Sequence, residues 1–260
     1  PIAGMWERFT RAINDPGLMQ RFFNSDLGLP FDAIGNKVTP TMLDNCIGEG
    51  DDAYSFTIHS DIAHIKTHSH PGPCSMGVDV GATLDVRISY LRSRGERQAV
   101  FIGKVRSVEG LYDLIQLYNV EKCVMDSMPE ITLAADFQEG AMQYGCEVWL
   151  CRYAKEGSDK RRTYDLVNRM INADRTEVLD RSFAQIRLKK NLLPTNYAAI
   201  LGGSYTDEMC MPIRSLVEDS GGNQRYEWSK GKDHQRHTDT YDMLASFIMT
   251  ETTIDDFAIG

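Results

Sequence analysis

The chain has 260 residues, of which 42% are hydrophobic, and this is enough for one or two domains with a proper core. No segment approaches the roughly 18–20 consecutive apolar residues that a membrane-spanning helix needs, which excludes a membrane protein. The net charge of −9 argues against a generic nucleic-acid binder, although a site built from clustered carboxylates would be acidic because it binds cations.

Two further features of the composition bear on the kind of protein. The chain starts at Pro1, with no basic leader or cleavage-site pattern after it, so we expect a fragment of a longer protein. The six cysteines form no Cys-x-x-Cys pair, and several lie in apolar runs such as residues 122–125. We interpret them as reduced, buried thiols of a cytoplasmic protein.

Residues 1 to about 60 predict short helices joined by turns. Asp15 and Thr39 each precede a proline, which is typical of a helix cap followed by proline at the first helical position. The segment is too short for a core of its own. We therefore expect residues 1–60 to be the tail of an upstream domain, or a linker that docks on the domain formed by residues 61–260.

From residue 74 onwards, β-prone runs and helical periodicity alternate. The predicted strands comprise residues 74–80, 84–91, 99–105, 122–125 and 147–153. The predicted helices comprise residues 111–118, 129–137, about 175–190 and about 233–249. The first three strands predict an antiparallel meander, and the helices after it are crossovers. This order predicts an α/β domain with a mixed five-stranded sheet flanked by helices, and it resembles the ribonuclease H-like fold.

Two aspartates stand at the ends of apolar strands, and each has an ordinary alternative role. Asp79 could cap the turn at Gly81, and Asp126 could cap the helix after Pro129. If their strands are adjacent and parallel, however, the two carboxylates lie within roughly 5–7 Å of each other at one sheet edge. Such a pair repels unless a divalent cation neutralises it, and Mg²⁺ or Mn²⁺ prefers carboxylate oxygens. The pair predicts a catalytic metal site, in which two ions about 3.5–4 Å apart suit in-line attack on a phosphodiester.

The last helix offers the remaining candidates for this site. Helical spacing puts His234 and His237 on the face turned to the sheet, with Asp233 near its edge, whereas Asp239 points almost the opposite way. We therefore favour Asp233, His234 and His237 as catalytic residues, with Asp233 and His237 as metal ligands and Asp239 as a weaker candidate. Packing and helix-end hydrogen bonding are the alternative roles of the histidines. Asp239 and Asp242 fit solvated helix charges.

Three weaker signals accompany this site. Asp85 could reach the metals through water, or could be a hairpin residue with its side chain outward. Basic residues in two turns could contact DNA phosphates, or could simply be solvated, and any such affinity should fall steeply with salt. These residues are Lys155, Lys160, Arg161 and Arg162 in one loop, and Arg94 with Arg92 and Arg97 in the other. A possible zinc set, with a polar linker as its alternative, comprises His64, His68, His70 and Cys74.

In these features the sequence resembles the nuclease domain of the large terminase subunit of tailed bacteriophages. The segments that carry the resemblance are residues 22–30, 77–81, 124–126, 167–169, 192–194 and 233–241. Many members of that family carry an acidic residue where His237 stands. The chain has no Gly-x-x-x-x-Gly-Lys-Ser/Thr loop, so the resemblance implies the nuclease half alone, with residues 1–60 as the tail of an upstream ATPase domain or a linker.

The resemblance implies a Mg²⁺- or Mn²⁺-dependent endonuclease with two ions, which cuts concatemeric viral DNA during genome packaging with low sequence specificity. The implied partners are double-stranded DNA, the portal, the small terminase subunit and the ATPase half of the same protein, with no membrane. The implied location is the host cytoplasm during infection. Two other functions stay open: another ribonuclease H-like DNA enzyme, such as a junction resolvase or a transposase core, and a catalytically silent docking module of the packaging motor.

Overall fold

The computed structural model describes residues 2–12, 22, 26–27, 36–65, 72–92, 95–154, 162–218, 222 and 224–250. The strands are β1 (Phe56–Ile58), β2 (Ile62–Ile65), β3 (Cys74–Val80), β4 (Leu84–Leu91), β5 (Arg97–Val105), β6 (Val120–Asp126), β7 (Glu147–Tyr153), β8 (Thr163–Asp165), β9 (Met170–Ala173), β10 (Asn191–Leu192), β11 (Arg214–Glu218) and β12 (Gln224–Trp228). The helices are α1 (Ile2–Ala12), α2 (Pro40–Asp44), α3 (Val108–Tyr118), α4 (Ile131–Gly140), α5 (Arg175–Arg187), α6 (Ser204–Cys210) and α7 (His234–Thr250).

The five predicted strands form the centre of one sheet, in the order β5-β4-β3-β6-β7. The antiparallel meander of β3, β4 and β5 is confirmed, and β6 and β7 are added parallel to β3. The predicted number of five strands is too low, because the described residues alone form a sheet of ten strands. The missed strands β1, β2, β8, β9 and β10 are two to four residues long. A run that short shows no alternation of apolar and polar residues that a sequence pattern could reveal.

Helices cover both faces of this sheet. Helices α3 and α4 pack on the face that carries Val78 and Met125. The opposite face carries Val124 and packs against α5 and α7. Because side chains alternate along a strand, the residues that follow Val78 and Met125 turn toward α5 and α7. The sheet therefore directs the side chains of Asp79 and Asp126 to the face that α7 covers.

Part of the segment before residue 61 belongs to the core of this domain. Val38, Leu43 and Phe56 are buried in one cluster with Leu179 and Phe183 of α5. Strand β1, which the sequence did not predict, pairs with β2. The assignment of residues 1–60 to an upstream tail or linker stays a prediction.

Two predictions from composition can be compared with the structure. The cysteines are free, and five of the six are buried, with Cys210 partly exposed, so the prediction of buried thiols is confirmed for five. Among the described residues, no helix combines the length and the apolar character needed to cross a membrane.

Candidate metal centre

Helix α7 lies directly on strand β3 at Gly77. A Cβ atom at this position would meet the carbonyl oxygen of Thr238 at 2.2 Å and the backbone nitrogen of Asp242 at 2.3 Å. No side chain can occupy that space, so glycine is what allows the helix backbone to approach the strand so closely. The contact fixes the first turn of α7 over the carboxyl ends of β3 and β6.

Asp79 and Asp126 occupy neighbouring positions at these strand ends. Strands β3 and β6 are parallel with Val78 opposite Met125, so the next pair in the register is Asp79 and Asp126. Parallel neighbours of this kind lie about 4.8 Å apart in the sheet. The predicted pairing of the two strands is confirmed. Both carboxylates line an open cleft of about 590 Å³. The other residues that line the cleft are Tyr153, Ala154, Arg175, Lys230, Asp233 and His237.

The folded protein disfavours the ionised form of the Asp126 carboxyl group. Burial raises its pKa to about 6, and the negative charge of Asp79 acts in the same direction. The backbone N–H of Met128 donates to Asp126 Oδ1 at 3.0 Å and opposes this shift. A cation between the two carboxylates would relieve both the burial and the repulsion.

His234 holds one oxygen of the Asp79 carboxylate. The distance from His234 Nδ1 to Asp79 Oδ2 is 2.7 Å, and this hydrogen bond raises the pKa of the His234 imidazole. Among the described residues, Asp79 Oδ1 has no hydrogen-bond partner and is available to a ligand. The sequence predicted His234 close to the strand ends, and the structure places it there.

His237 and Asp233 lie in the same cleft but are engaged with other side chains. His237 Nδ1 lies 2.7 Å from the Tyr153 hydroxyl, and His237 Nε2 lies 3.3 Å from both Arg175 Nη2 and Asp233 Oδ2. Arg175 also donates to Asp233 Oδ2 at 3.0 Å. Burial raises the pKa of Asp233, but the hydrogen bond and charge of His237 and the charge of Arg175 prevail and lower it.

The donor set fits a divalent cation only in part. The two strand-end carboxylates supply the hard oxygen ligands that Mg²⁺ and Mn²⁺ prefer. Within the described part of the chain, however, no three side chains of aspartate, glutamate, histidine or cysteine converge closely enough to hold one ion. Asp79 and Asp126 could therefore hold a cation, whereas Asp233 and His237 are held back by Arg175.

Solved structures share this fold, although no protein-family model and no curated protein sequence matches the chain. The large terminase nuclease from thermophilic phage G20c with bound magnesium matches with a TM-score of 0.52 and 12% identity, over 80% of this chain and 97% of that chain. Another structure of the G20c nuclease gives a TM-score of 0.50 with the same identity and coverage. The chain has the fold of the large terminase nuclease domain.

The terminase nuclease fold confirms the predicted α/β class and its ribonuclease H-like strand order. The resemblance seen in the sequence is confirmed at the level of the fold.

Within this terminase nuclease fold, the prediction that Asp239 and Asp242 are solvated is wrong. Both side chains are completely buried. Asp239 pairs with Arg87, Arg97 and Arg236, and Asp242 pairs with Arg87 and Arg97. Burial raises the pKa of Asp239, but Arg97, Arg87 and Arg236 prevail and lower it to about 2. Asp239 thus belongs to a buried ionic network, and we do not propose it as a metal ligand.

The physical reason for this error is that the middle of α7 is buried on all sides. The residues from Gln235 to Ser246 are all buried. The helix packs on β3, β4 and β6, and also contacts α5 and α6. A helical wheel assumes one wet face, and here the middle of the helix has none.

Asp85 also differs from its expected role. Its side chain is buried rather than outward, and it lies opposite Asp79 in the β3–β4 ladder. Its Oδ1 accepts hydrogen bonds from Lys104 Nζ at 2.7 Å and Gln235 Nε2 at 2.5 Å. These contacts tie β4, β5 and α7 together, so Asp85 supports the strand end that carries Asp79.

The basic candidates for DNA contact lie mostly outside the described residues, namely Lys155, Lys160, Arg161 and Arg94. Arg162 is described, and its side chain is 10% exposed and lies 3.5 Å from Glu177. Arg97 is buried in the ionic network and cannot contact a phosphate at the surface, contrary to expectation. Arg92 pairs with Asp52.

The possible zinc set is only partly described. His68 and His70 lie outside the described residues. His64 is on β2, with Nδ1 2.7 Å from the carbonyl oxygen of Ile65, and Cys74 is completely buried.

Sequence reasoning missed Tyr153, Arg175 and Lys230, which line the cleft. Tyr153 could have been found, because alternation along β7 places it on the same face as Cys151 and Trp149, next to β6. Arg175 follows Asp174, the cap of α5, and a charged residue in a first helical turn looks like a surface residue. Only the three-dimensional arrangement brings Arg175 to the start of α7.

Proposed function

We propose that this chain is a divalent-metal-dependent endonuclease domain that cuts concatemeric viral DNA during genome packaging, with low sequence specificity. The observation that carries the proposal is the position of Asp79 and Asp126. They lie side by side at the ends of adjacent parallel strands, and they line one open cleft under the first turn of α7. The fold around them is that of large terminase nucleases, among them one with bound magnesium.

The residues of the cleft would have different roles in such a reaction. Asp79 and Asp126 offer the carboxylate oxygens that would hold Mg²⁺ or Mn²⁺. A bound divalent cation would supply the Lewis-acid chemistry that lowers the pKa of a water and stabilises negative charge on the leaving oxygen of a phosphodiester. His234 orients the Asp79 carboxylate through its hydrogen bond to Oδ2. Asp233 and His237 line the same cleft as further proposed catalytic residues, and Tyr153 fixes the ring of His237.

Double-stranded DNA is the proposed substrate, and two basic side chains lie in the cleft together with the carboxylates. Arg175 and Lys230 line the cleft beside the carboxylates. Lys155, Lys160, Arg161, Arg162 and Arg94 stay proposed phosphate contacts. We also propose that the domain works with the ATPase half of the same protein, the portal and the small terminase subunit.

A plasmid-cleavage assay with matched variants tests this function. We expect wild-type protein to nick and linearise plasmid with Mn²⁺ or Mg²⁺ and to lose activity with a chelator. Asp79→Asn and Asp126→Asn should each reduce the rate by at least about 100-fold, because each removes a charged ligand. Asp136→Asn is the control, since Asp136 is exposed on α4, on the opposite face of the sheet. Equal cleavage by all four proteins would mean that the activity is a contaminant and that the proposal is wrong.

One observation favours a second function, a catalytically silent docking module. Among the described residues no three metal-binding side chains converge, and Arg175 engages two of the late-helix candidates, Asp233 and His237. A silent module would neither cut plasmid nor bind Mn²⁺ more tightly than Asp79→Asn does. The same proteins, titrated with Mn²⁺ by calorimetry, separate the two functions.

A further inference from the structure

Arg175 reaches into the cleft from the start of α5 and is fixed there by backbone atoms. Its guanidinium donates to the carbonyl oxygens of Trp228 at 2.7 Å and Ser229 at 3.2 Å. The same group donates to Asp233 Oδ2 at 3.0 Å and lies 3.3 Å from His237 Nε2. The side chain is 18% exposed. The guanidinium thus has a fixed place beside the two late-helix groups that could complete a metal site.

The described carboxylates that line the cleft differ in whether they have an arginine partner. The carboxylates are Asp79, Asp126 and Asp233. An arginine stays protonated at every pH at which the protein is folded, so Asp233 and Arg175 form a neutral pair. Among the described residues no guanidinium contacts Asp79 or Asp126, and their two negative charges equal the charge of one divalent cation. A second divalent cation bound to Asp233 would lie beside the guanidinium of Arg175, which already neutralises that carboxylate.

We propose that Arg175 takes the place of a second metal ion, so that the site binds one divalent cation, held by Asp79 and Asp126. This inference rests on the proposed function, and it differs from the two ions that the sequence led us to expect. In it Arg175 is a positioning residue. It keeps Asp233 and His237 on the cleft wall and neutralises Asp233, the carboxylate to which a second ion would otherwise bind.

The number of bound ions tests this inference without an activity measurement. We expect calorimetric titration of the full chain with Mn²⁺ to give about one ion per chain, and electron paramagnetic resonance to show no coupled pair of the kind that ions about 3.5–4 Å apart produce. Arg175→Gln keeps a hydrogen-bond donor but removes the charge. This variant should bind about two ions per chain and show the coupled signal.

Two control variants distinguish the effect of a positive charge at position 175 from the effect of the net charge of the cleft. Arg175→Lys keeps the positive charge and should still bind about one ion. Lys230→Ala removes a positive charge from an exposed side chain of the same cleft and should also bind about one ion. If Lys230→Ala gains an ion as Arg175→Gln does, net charge alone sets the number and the inference is wrong.

The remaining outcomes are also decisive. Two ions in the wild-type chain would overturn the inference and leave the proposed nuclease function standing, and this result does not depend on whether any variant folds. One ion in a folded Arg175→Gln variant would overturn it as well. If the wild-type chain binds no Mn²⁺ and matches Asp79→Asn in the titration, both the inference and the proposed function fail.

Discussion

At the scale of single residues, the Asp126 carboxyl group shows the conflict between stability and a metal site. Its pKa is raised to about 6, chiefly by burial, whereas an unfolded aspartate has a pKa of about 3.9. The ionised form therefore destabilises the metal-free fold at pH values above about 6, and this cost disappears below about pH 3.9. A neutral residue of the same shape should remove the cost.

We accordingly expect Asp126→Asn to stabilise the metal-free protein at pH 7.5 by about 1–3 kcal/mol, and to have little effect at pH 4. Thermal unfolding in a chelator at both pH values measures this. Asp136→Asn, at an exposed site, should leave the melting temperature unchanged at either pH. Mg²⁺ should stabilise the wild type and not the variant. A loss of stability in the variant at pH 7.5 without metal would contradict the strain attributed to Asp126.

The sequence could identify Asp79 and Asp126 because the signal is local. A charged residue that ends an apolar run is visible without knowing the fold, and the strand order then makes the two meet. The partners of Arg175 could not be identified in this way. Asp233 and His237 lie 58 and 62 positions further along the chain, and no periodicity links them to α5.

At the scale of elements, the contact between α7 and β3 at Gly77 determines which helix residues overlook the site. We expect Gly77→Ala to cost more than the roughly 1–3 kcal/mol typical of overpacking, because the added Cβ meets helix backbone that no rotamer change can move. Urea unfolding measures the loss. Gly81→Ala is the matched control at the end of the same strand, where a Cβ would have ordinary contacts of 3.5 Å to His234 and 3.6 Å to Thr83. If both variants unfold at the same urea concentration, α7 is not seated on Gly77 as tightly as described.

The long central strands and the helices that pack on them were predictable from sequence, and the Thr39 cap before Pro40 also predicted the short helix α2, whereas the strands of two to four residues were not predictable. Helix α3 was found because Leu111, Leu114, Ile115 and Tyr118 repeat at helical spacing and are buried together. Strands of two to four residues offer no such repeat. The buried charges of α7 were misread because their partners, Arg87 and Arg97, lie on β4 and β5, far away in the sequence.

At the scale of the whole molecule, the core includes residues on both sides of the domain boundary that was predicted near residue 60. The described members of the core clusters begin at Val38. Val38, Leu43 and Phe56 are 1%, 0% and 5% exposed. Burial of each such side chain contributes roughly 1.5–3 kcal/mol. The three together approach the roughly 5–15 kcal/mol by which a whole domain is usually stable.

We therefore expect a chain that starts at residue 36 to keep the melting temperature of the full chain, and a chain that starts at residue 61 to be largely unfolded. The shorter chain would also lack β1 and expose the edge of β2 to pairing with other chains. Thermal unfolding of the three proteins, together with their Mn²⁺ stoichiometry, measures both stability and the site. A chain starting at residue 61 that unfolds at the same temperature as the full chain would support the boundary at residue 60 and would mean that the 36–58 segment is only docked on the domain.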